Sequence, residues 1–221
     1  MENMHCKYPE FIREKFKNTE VHIVASGPSL LGFDYSKLKG KNIIAVNHAY
    51  KMVDSLYCVF VDKSFPARED VNVIKNSVCL SRYIPEYPSI INFIFNNIFN
   101  LDPEKGVYHR RSSGVAALTT ALQGGASSVF LWGFDCKFYT EQEARETIAR
   151  NGGNGDLPVK RSIYGHSTSG MYNHTRDQAA DSTVFRQTVE FFKVFPRNSI
   201  YNMSTLSVIP YFEKLKIEDV L

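Results

Sequence analysis

The chain has no CxxC pair, no Walker-type loop, no Asp-X-Asp pair, no internal repeat and no low-complexity tract. Nor does any apolar run approach the roughly 20 residues that span a bilayer. Its four cysteines, Cys6, Cys58, Cys79 and Cys136, are far apart, so neither a thiolate zinc site nor a dithiol redox motif is spelled out. Cys58, Cys79 and Cys136 lie in apolar runs that read as buried strands, which makes packed, reduced thiols of a reducing, cytoplasmic compartment the expectation. A dominant charge is missing too: 26 Lys and Arg stand against 23 Asp and Glu, a net +3, too little to call for a polyanionic partner. Met1 to Lys17 is polar and charged, without the apolar stretch of a signal or anchor. What the 221 residues do contain, 43% of them hydrophobic and 13% aromatic, is enough for one sizeable core, so a single domain over 1–221 is expected.

The apolar residues come in short continuous runs. Val21 to Ala25 stops at Ser26-Gly27-Pro28-Ser29, Asn42 to Val46 at Asn47, and Leu56 to Val61 at Asp62; Ser77 to Ser81 is a fourth candidate. Each predicts a strand ending in a polar turn, and continuous rather than alternating hydrophobicity predicts strands covered on both faces, as in a mostly parallel Rossmann-like α/β sheet. Ser112 to Gln123 predicts a helix and Ser127 to Trp132 a further strand closing at Gly133-Phe134-Asp135. Ile90 to Phe99 fits strand or helix. Tyr139 to Ser169 is polar and glycine-rich and reads as a mobile loop or lid. Asp177 to Phe195 has helical spacing, and Ile200 to Met203 predicts the last strand before a helical or extended tail.

In an open parallel sheet, ligands bind beyond the carboxyl ends of the strands, which makes the strand-end residues the candidates. Gly27 lets a backbone approach a ligand, Pro28 sets a first helical turn, and Ser26 and Ser29 offer hydroxyls or caps. Asn47 and Asp62 have short side chains suited to a ribose, a base edge or a metal-bound water, and suited equally to capping a turn. Ser112-Ser113-Gly114 opens the predicted helix and is a second anion candidate, preceded by His109-Arg110-Arg111; Asp135 ends the strand facing it. His166 and His174 lie in or after the polar segment, where a near-neutral imidazole suits a general base.

Taken together and in order, Ser26-Gly27-Pro28-Ser29-Leu30, Asp34-Tyr35-Ser36-Lys37-Leu38, Val46-Asn47, Ser113-Gly114-Val115, Gly133-Phe134-Asp135 with Tyr139, Tyr164-Gly165-His166-Ser167, and Tyr201-Asn202-Met203 with Ser207 and Phe212 resemble the bacterial sialyltransferases of glycosyltransferase family 42. The matches are short but collinear over nearly the whole chain. The resemblance implies a GT-A-type variant of the Rossmann-like fold, a homo-oligomer, and metal-independent transfer of a sugar from a nucleotide-sugar donor to an acceptor hydroxyl on a saccharide, a protein or a modified DNA base. It implies donor contacts from Gly27, Ser29, Asn47 and Ser113, phosphate contacts from Tyr139 and Tyr164, and His166 as the base. Asp62-Lys63-Ser64 departs from the family's asparagine followed by Pro-Ser, which leaves UDP- and GDP-sugars open beside CMP-sialic acid. The Gly-Pro-Ser-Leu turn, Asp62 and the Gly-Phe-Asp segment are also similar to the 6-hydroxymethyl-dihydropterin pyrophosphokinase-like family. That alternative implies magnesium on Asp62 and Asp135 and pyrophosphate transfer from ATP.

Overall fold

The short apolar runs become the strands β1 Glu20–Val24, β2 Ile43–Val46, β3 Tyr57–Val59, β4 Val78–Ser81, β5 Ile91–Asn92, β6 Phe95–Asn96, β7 Val107–Tyr108, β8 Ser128–Trp132, β9 Ile200–Asn202 and β10 Glu213–Lys214. The computed structural model describes residues 8–62, 65–68, 78–81, 90–137, 139–154 and 186–221. Eight strands form one sheet in the order β10-β9-β8-β1-β2-β3-β4-β5, with every pairing parallel, and β6 pairs β7 in a separate parallel ribbon. The ambiguous stretch Ile90 to Phe99 therefore supplies two short strands, one in each sheet.

Along β1 the side chains alternate between faces while both remain buried. Val21 and Ile23 pack with Ile44, Val115 and Leu118 beneath the helices α1 Tyr8–Ile12 and α3 Ser113–Gln123. Val24 joins Leu30, Phe33, Leu38, Ala45 and Trp132 on the other face. That second face is covered chiefly by 3-10 turns, Pro28–Leu30, Tyr35–Leu38 and Asn47–Lys51, and by the chain after β9. Pro28, Gly32 and Gly40 interrupt the β1–β2 connection too often for an α-helix to run there. A further short helix, α2 Phe65–Arg68, follows β3.

The segment from Tyr139 was expected to be a loop, yet α4 Glu141–Arg150 occupies its first part. Two features outweigh the low hydrophobicity. Thr140 and Glu143 form a capping box, in which Thr140 Oγ1 accepts the Glu143 N–H at 3.2 Å and Glu143 Oε2 accepts the Thr140 N–H at 2.8 Å. Ala144 and Ile148 then bury against Leu31, a narrow apolar stripe that suffices because one face of α4 is all that touches the domain. The rest of that expected lid, with Tyr164, His166 and His174, lies outside the described residues. Of the expected helix from Asp177 to Phe195, residues 186–191 are helical and Phe192–Val194 is a 3-10 turn.

One polar side chain is built into the core of β1. His22 is buried and stacks on Phe130, its Nδ1 accepts the Trp132 indole N–H at 3.1 Å, and Nε2 has no partner. Burial, with a smaller push from Lys41, lowers its pKa from 6.5 to about 4. The native state thus holds a neutral imidazole that the unfolded chain would protonate below its ordinary pKa. Stability is full above that value and declines as pH falls toward 4, by about 2 kcal/mol at pH 5. Urea midpoints at pH 7.5 and pH 5 should show this loss. His22→Leu should flatten it while lowering stability at pH 7.5, because the Trp132 N–H is left without an acceptor. A second expectation concerns α4: Thr140→Ala removes the capping hydroxyl, costs about 1 kcal/mol, and should raise amide exchange in residues 141–150 before it affects β1.

Candidate functional site

The sheet order defines a switch point. After β1 the chain moves outward through β2, β3, β4 and β5, then returns to place β8 on the opposite side of β1. The connections that leave the carboxyl ends of β1 and β8 run in opposite directions across the sheet, although the strands themselves stay paired as far as Val24 and Trp132. The two turns interlock. Ala25 N–H donates to Trp132 O at 2.8 Å, and Gly133 holds φ +73 beside Ala25 O. Gly27 has an ordinary extended backbone; space, not torsion, demands glycine there, since a Cβ would run into the Gly133 carbonyl and come within 2.5 Å of Asp135 Oδ2.

Asp135 is 2% exposed, and its Oδ2 accepts the Ser29 N–H at 2.7 Å, so its described contact is to the β1 turn. Burial pushes this carboxyl up from its ordinary value, against opposing pulls from Ser204, Ser29 and Lys137. Asp135 Oδ1, Ser29 Oγ, Ser204 Oγ and the Tyr139 hydroxyl are buried without a hydrogen-bond partner of good geometry. Burial first, and the Asp135 charge second, hold the Tyr139 phenol protonated. The chain after β9 supports this cluster: Ser207 Oγ donates to Phe134 O at 2.7 Å and accepts from Asn202 Nδ2 at 2.9 Å. Phe134 lies under Gly114, where a Cβ would come 2.7 Å from its ring.

The second half of the site is the start of α3. Ser112 Oγ caps it through the Val115 N–H, and Ser113 Oγ accepts the Val61 N–H at 3.1 Å, tying the helix to the end of the β3 run. The hydroxyl proton of Ser113 stays available to a ligand. With 11 residues, α3 is long enough to carry an N-terminal dipole that favours negative charge, whereas the element expected after Pro28 is one 3-10 turn and contributes backbone shape alone. Upstream, His109 is buried, stacks on Phe95 at 3.6 Å between centroids, and accepts the Arg111 N–H on Nδ1. Arg110 and Arg111 then adopt φ +47 and +62, two successive left-handed residues of a kind usually held where the surroundings insist on them. Arg110 lies 5.0 Å over Phe191, and Arg111 is exposed.

Asn47 ends β2 at φ +51, and its side-chain Oδ1 is buried without a partner. Its carbonyl accepts from Cys58 Sγ. Asp62 is exposed at the end of the β3 run and accepts the Phe65 N–H on its carbonyl. Ser26 is half-buried and Pro28 buried. Gly27, Ser29, Asn47, Asp62 and Asp135 follow the carboxyl ends of strands in one sheet, and Ser113 is tied to the end of the β3 run; Asp135, expected to face the start of α3, turns instead to the β1 turn. Sequence reading overlooked Ser204 and Asn151, whose side-chain amide donates to Ser29 O and Leu31 O at 3.1 and 2.7 Å. Among the described residues, no three His, Cys, Asp or Glu side chains form a group that could hold a metal ion, and no helix is long and apolar enough to cross a membrane.

No protein-family model and no curated protein matches the chain, so the similarity to the pterin pyrophosphokinase-like family gains no support. Among solved structures, the chain is similar to the sialyltransferase CstII from Campylobacter jejuni in complex with a substrate analogue, CMP-3FNeuAc, at 16% identity over 88% of this chain and 84% of that one, with a TM-score of 0.43. A likeness this slight assigns neither residues nor activity.

Proposed function

We propose that the chain is a glycosyltransferase that binds a nucleotide-activated sugar at the carboxyl ends of β1, β2 and β3 and delivers the sugar to an acceptor hydroxyl. The observation that carries this reading is Asn47, a non-glycine residue in the left-handed region whose buried amide oxygen has no partner. Unmade hydrogen bonds and backbone strain of this kind are tolerated where a ligand relieves them. A ribose hydroxyl or the exocyclic amine of a base supplies the missing donor. The Ser113 hydroxyl and the first amides of α3 suit the donor phosphates, and Arg111 adds a cation at the same helix end.

His166 is assigned the acceptor proton, and Tyr139 and Tyr164 the departing phosphate, following the family resemblance. The reaction is then a direct displacement with inversion at the anomeric carbon: the acceptor oxygen bonds the sugar as the bond to the nucleotide phosphate breaks. The reading needs no metal, since helix amides and phenol hydroxyls meet the leaving charge. Asp135 is a positioning residue here, because it grips the turn on which Gly27 and Ser29 stand.

A thermal-shift screen of CMP, UDP, GDP, ATP and the corresponding nucleotide sugars, with and without magnesium, tests the assignment. A ligand at about 100 times its dissociation constant should stabilise the fold by about 2.7 kcal/mol. Stabilisation by a nucleotide or nucleotide sugar without metal is expected; stabilisation by ATP and magnesium alone would replace this reading with pyrophosphate transfer. Asn47→Gly keeps the left-handed backbone and removes the amide, so it should weaken nucleotide-sugar binding about tenfold at unchanged melting temperature. Undiminished binding would remove Asn47 from the site. His166→Ala should bind donor normally and lose turnover.

A further inference from the structure

Two cysteines stand side by side on the face of the sheet away from α3. Tyr57, Val59 and Leu80 point into the core beneath α3, so Cys58 and Cys79, one position along on each strand, point to the other face. β3 and β4 are parallel, and Cys58 is the register partner of Cys79. Both are free thiols, Cys58 fully buried and Cys79 6% exposed. Phe60, Phe65 and Ile90 enclose them in one small apolar cluster. Neighbouring strands lie about 4.8 Å apart, inside the roughly 4.4–6.8 Å separation of Cα atoms that a disulfide spans. Register partners of a parallel pair also leave the sheet in the same direction, so closing such a bond draws the two Cβ atoms together by about 1 Å.

The Cys58 thiol has two acceptors within reach. It donates to the Asn47 carbonyl oxygen at 3.5 Å, and its hydrogen bond to Cys79 pulls that thiol below its ordinary pKa, against the opposing effect of burial. Cys136 gives the contrast: burial, and then the Asp135 charge, push its thiol up to about 12. Oxidants attack the thiolate form, so reactivity concentrates at Cys79, with Cys58 beside it to resolve the product. The tie to Asn47 gives the pair a reach beyond its own cluster. Asn47 opens the 3-10 turn Asn47–Lys51 with φ +51, and a sulfur held in a disulfide has no proton to donate to its carbonyl.

We propose that Cys58 and Cys79 are a redox-responsive pair that a peroxide closes to a disulfide, loosening the Asn47 turn as the bond forms. The Cys79 thiolate attacks one peroxide oxygen, the O–O bond breaks, and hydroxide leaves with Cys79 as a sulfenic acid. The Cys58 sulfur then attacks the Cys79 sulfur, the S–O bond breaks, and the hydroxyl departs as water with the Cys58 proton. Two thiols thereby lose two electrons and two protons, and one peroxide becomes two waters. A peroxide is small enough for a thiol that is 6% exposed, where a bulky disulfide is not. A dithiol reductant reverses the change. The pairing stands on the register and the cluster alone; its effect on ligand binding rests on the placement of Asn47 in the donor site proposed above.

Peptide mapping of the full chain after millimolar hydrogen peroxide, with the remaining thiols alkylated, tests the pairing. Cys58 and Cys79 should be found joined while Cys136 stays a thiol, and dithiothreitol should restore both. Amide exchange in residues 47–51 should be severalfold faster in the oxidised chain and return on reduction. Cys79→Ala should abolish both responses and keep exchange at 47–51 near that of the reduced chain. Cys58→Ala should speed that exchange with no oxidant present, because the Asn47 carbonyl loses its thiol donor. Mapping and exchange on the unmodified chain stand whether or not either variant folds. Nucleotide-sugar affinity should fall severalfold on oxidation. Absence of the cross-link, oxidation of Cys136 ahead of the pair, or a cross-link without change at residues 47–51 would each overturn the proposal. A cross-link that loosens the turn yet leaves nucleotide-sugar binding untouched would uphold the pair and remove Asn47 from the donor site.

Discussion

The hydrogen bond from the Ser29 amide to the Asp135 carboxylate is the contact on which the remainder of the site depends. It joins the turn after β1 to the turn after β8, the two paired strands that flank the switch point, and it does so in an interior where a carboxylate is costly to bury. Gly27 and Gly133 allow the approach by presenting no side chain between the two backbones. Once the turns are locked, Phe134 is set beneath Gly114 and so beneath the start of α3, and Ser113 then reaches back to Val61. The ladder pairing fixes where the strand ends stand, and this one buried carboxyl then ties together the two turns that leave them.

The two faces of the sheet divide the labour unequally. Beneath α1 and α3 the core is broad and regular, and the helix that opens toward the crevice is capped, long enough to carry a dipole, and tied to a strand end. The opposite face is closed by 3-10 turns and by the chain after β9, which leave a hollow rather than a filled layer. Buried polar atoms lacking a hydrogen bond of good geometry include several at the boundary between these two coverings, on Asn47, Ser29, Asp135, Tyr139 and Ser204. Buried groups of that kind are sparse in well-packed interiors, and at this boundary the backbone also enters the left-handed region, at Asn47 and at Cys136.

Much of this architecture is legible in the sequence because continuous apolar runs ending in Ser-Gly-Pro-Ser, Asn and Gly-Phe-Asp carry a strong local signal. The strands at Val21, Asn42, Leu56, Ser77, Ser127 and Ile200 all appear, within a residue or two of their expected ends. The helix at α4 was hidden by a polar composition whose decisive features, a Thr-Glu box and two buried side chains against Leu31, depend on a partner far off in the chain. The helical turn expected at Pro28 remains a single 3-10 turn because Pro28 and the glycines that follow it leave no uninterrupted helical run. The inward role of Asp135 was invisible for a related reason. A carboxylate after a strand looks the same in sequence whether it faces a ligand or a neighbouring amide 106 positions away.

The interlocked glycines have a consequence for how this scaffold can diverge. A substitution at Gly27 or Gly133 meets backbone, not a yielding side chain, so neither turn can change while the other stays as it is. Asp62, Lys37, Arg150 and Lys216 are exposed and hold no such lock, and they can be exchanged without repacking any strand. Descendants of such a chain would therefore keep their hinge of turns while the exposed side chains around it vary, with inheritance concentrated in the joint.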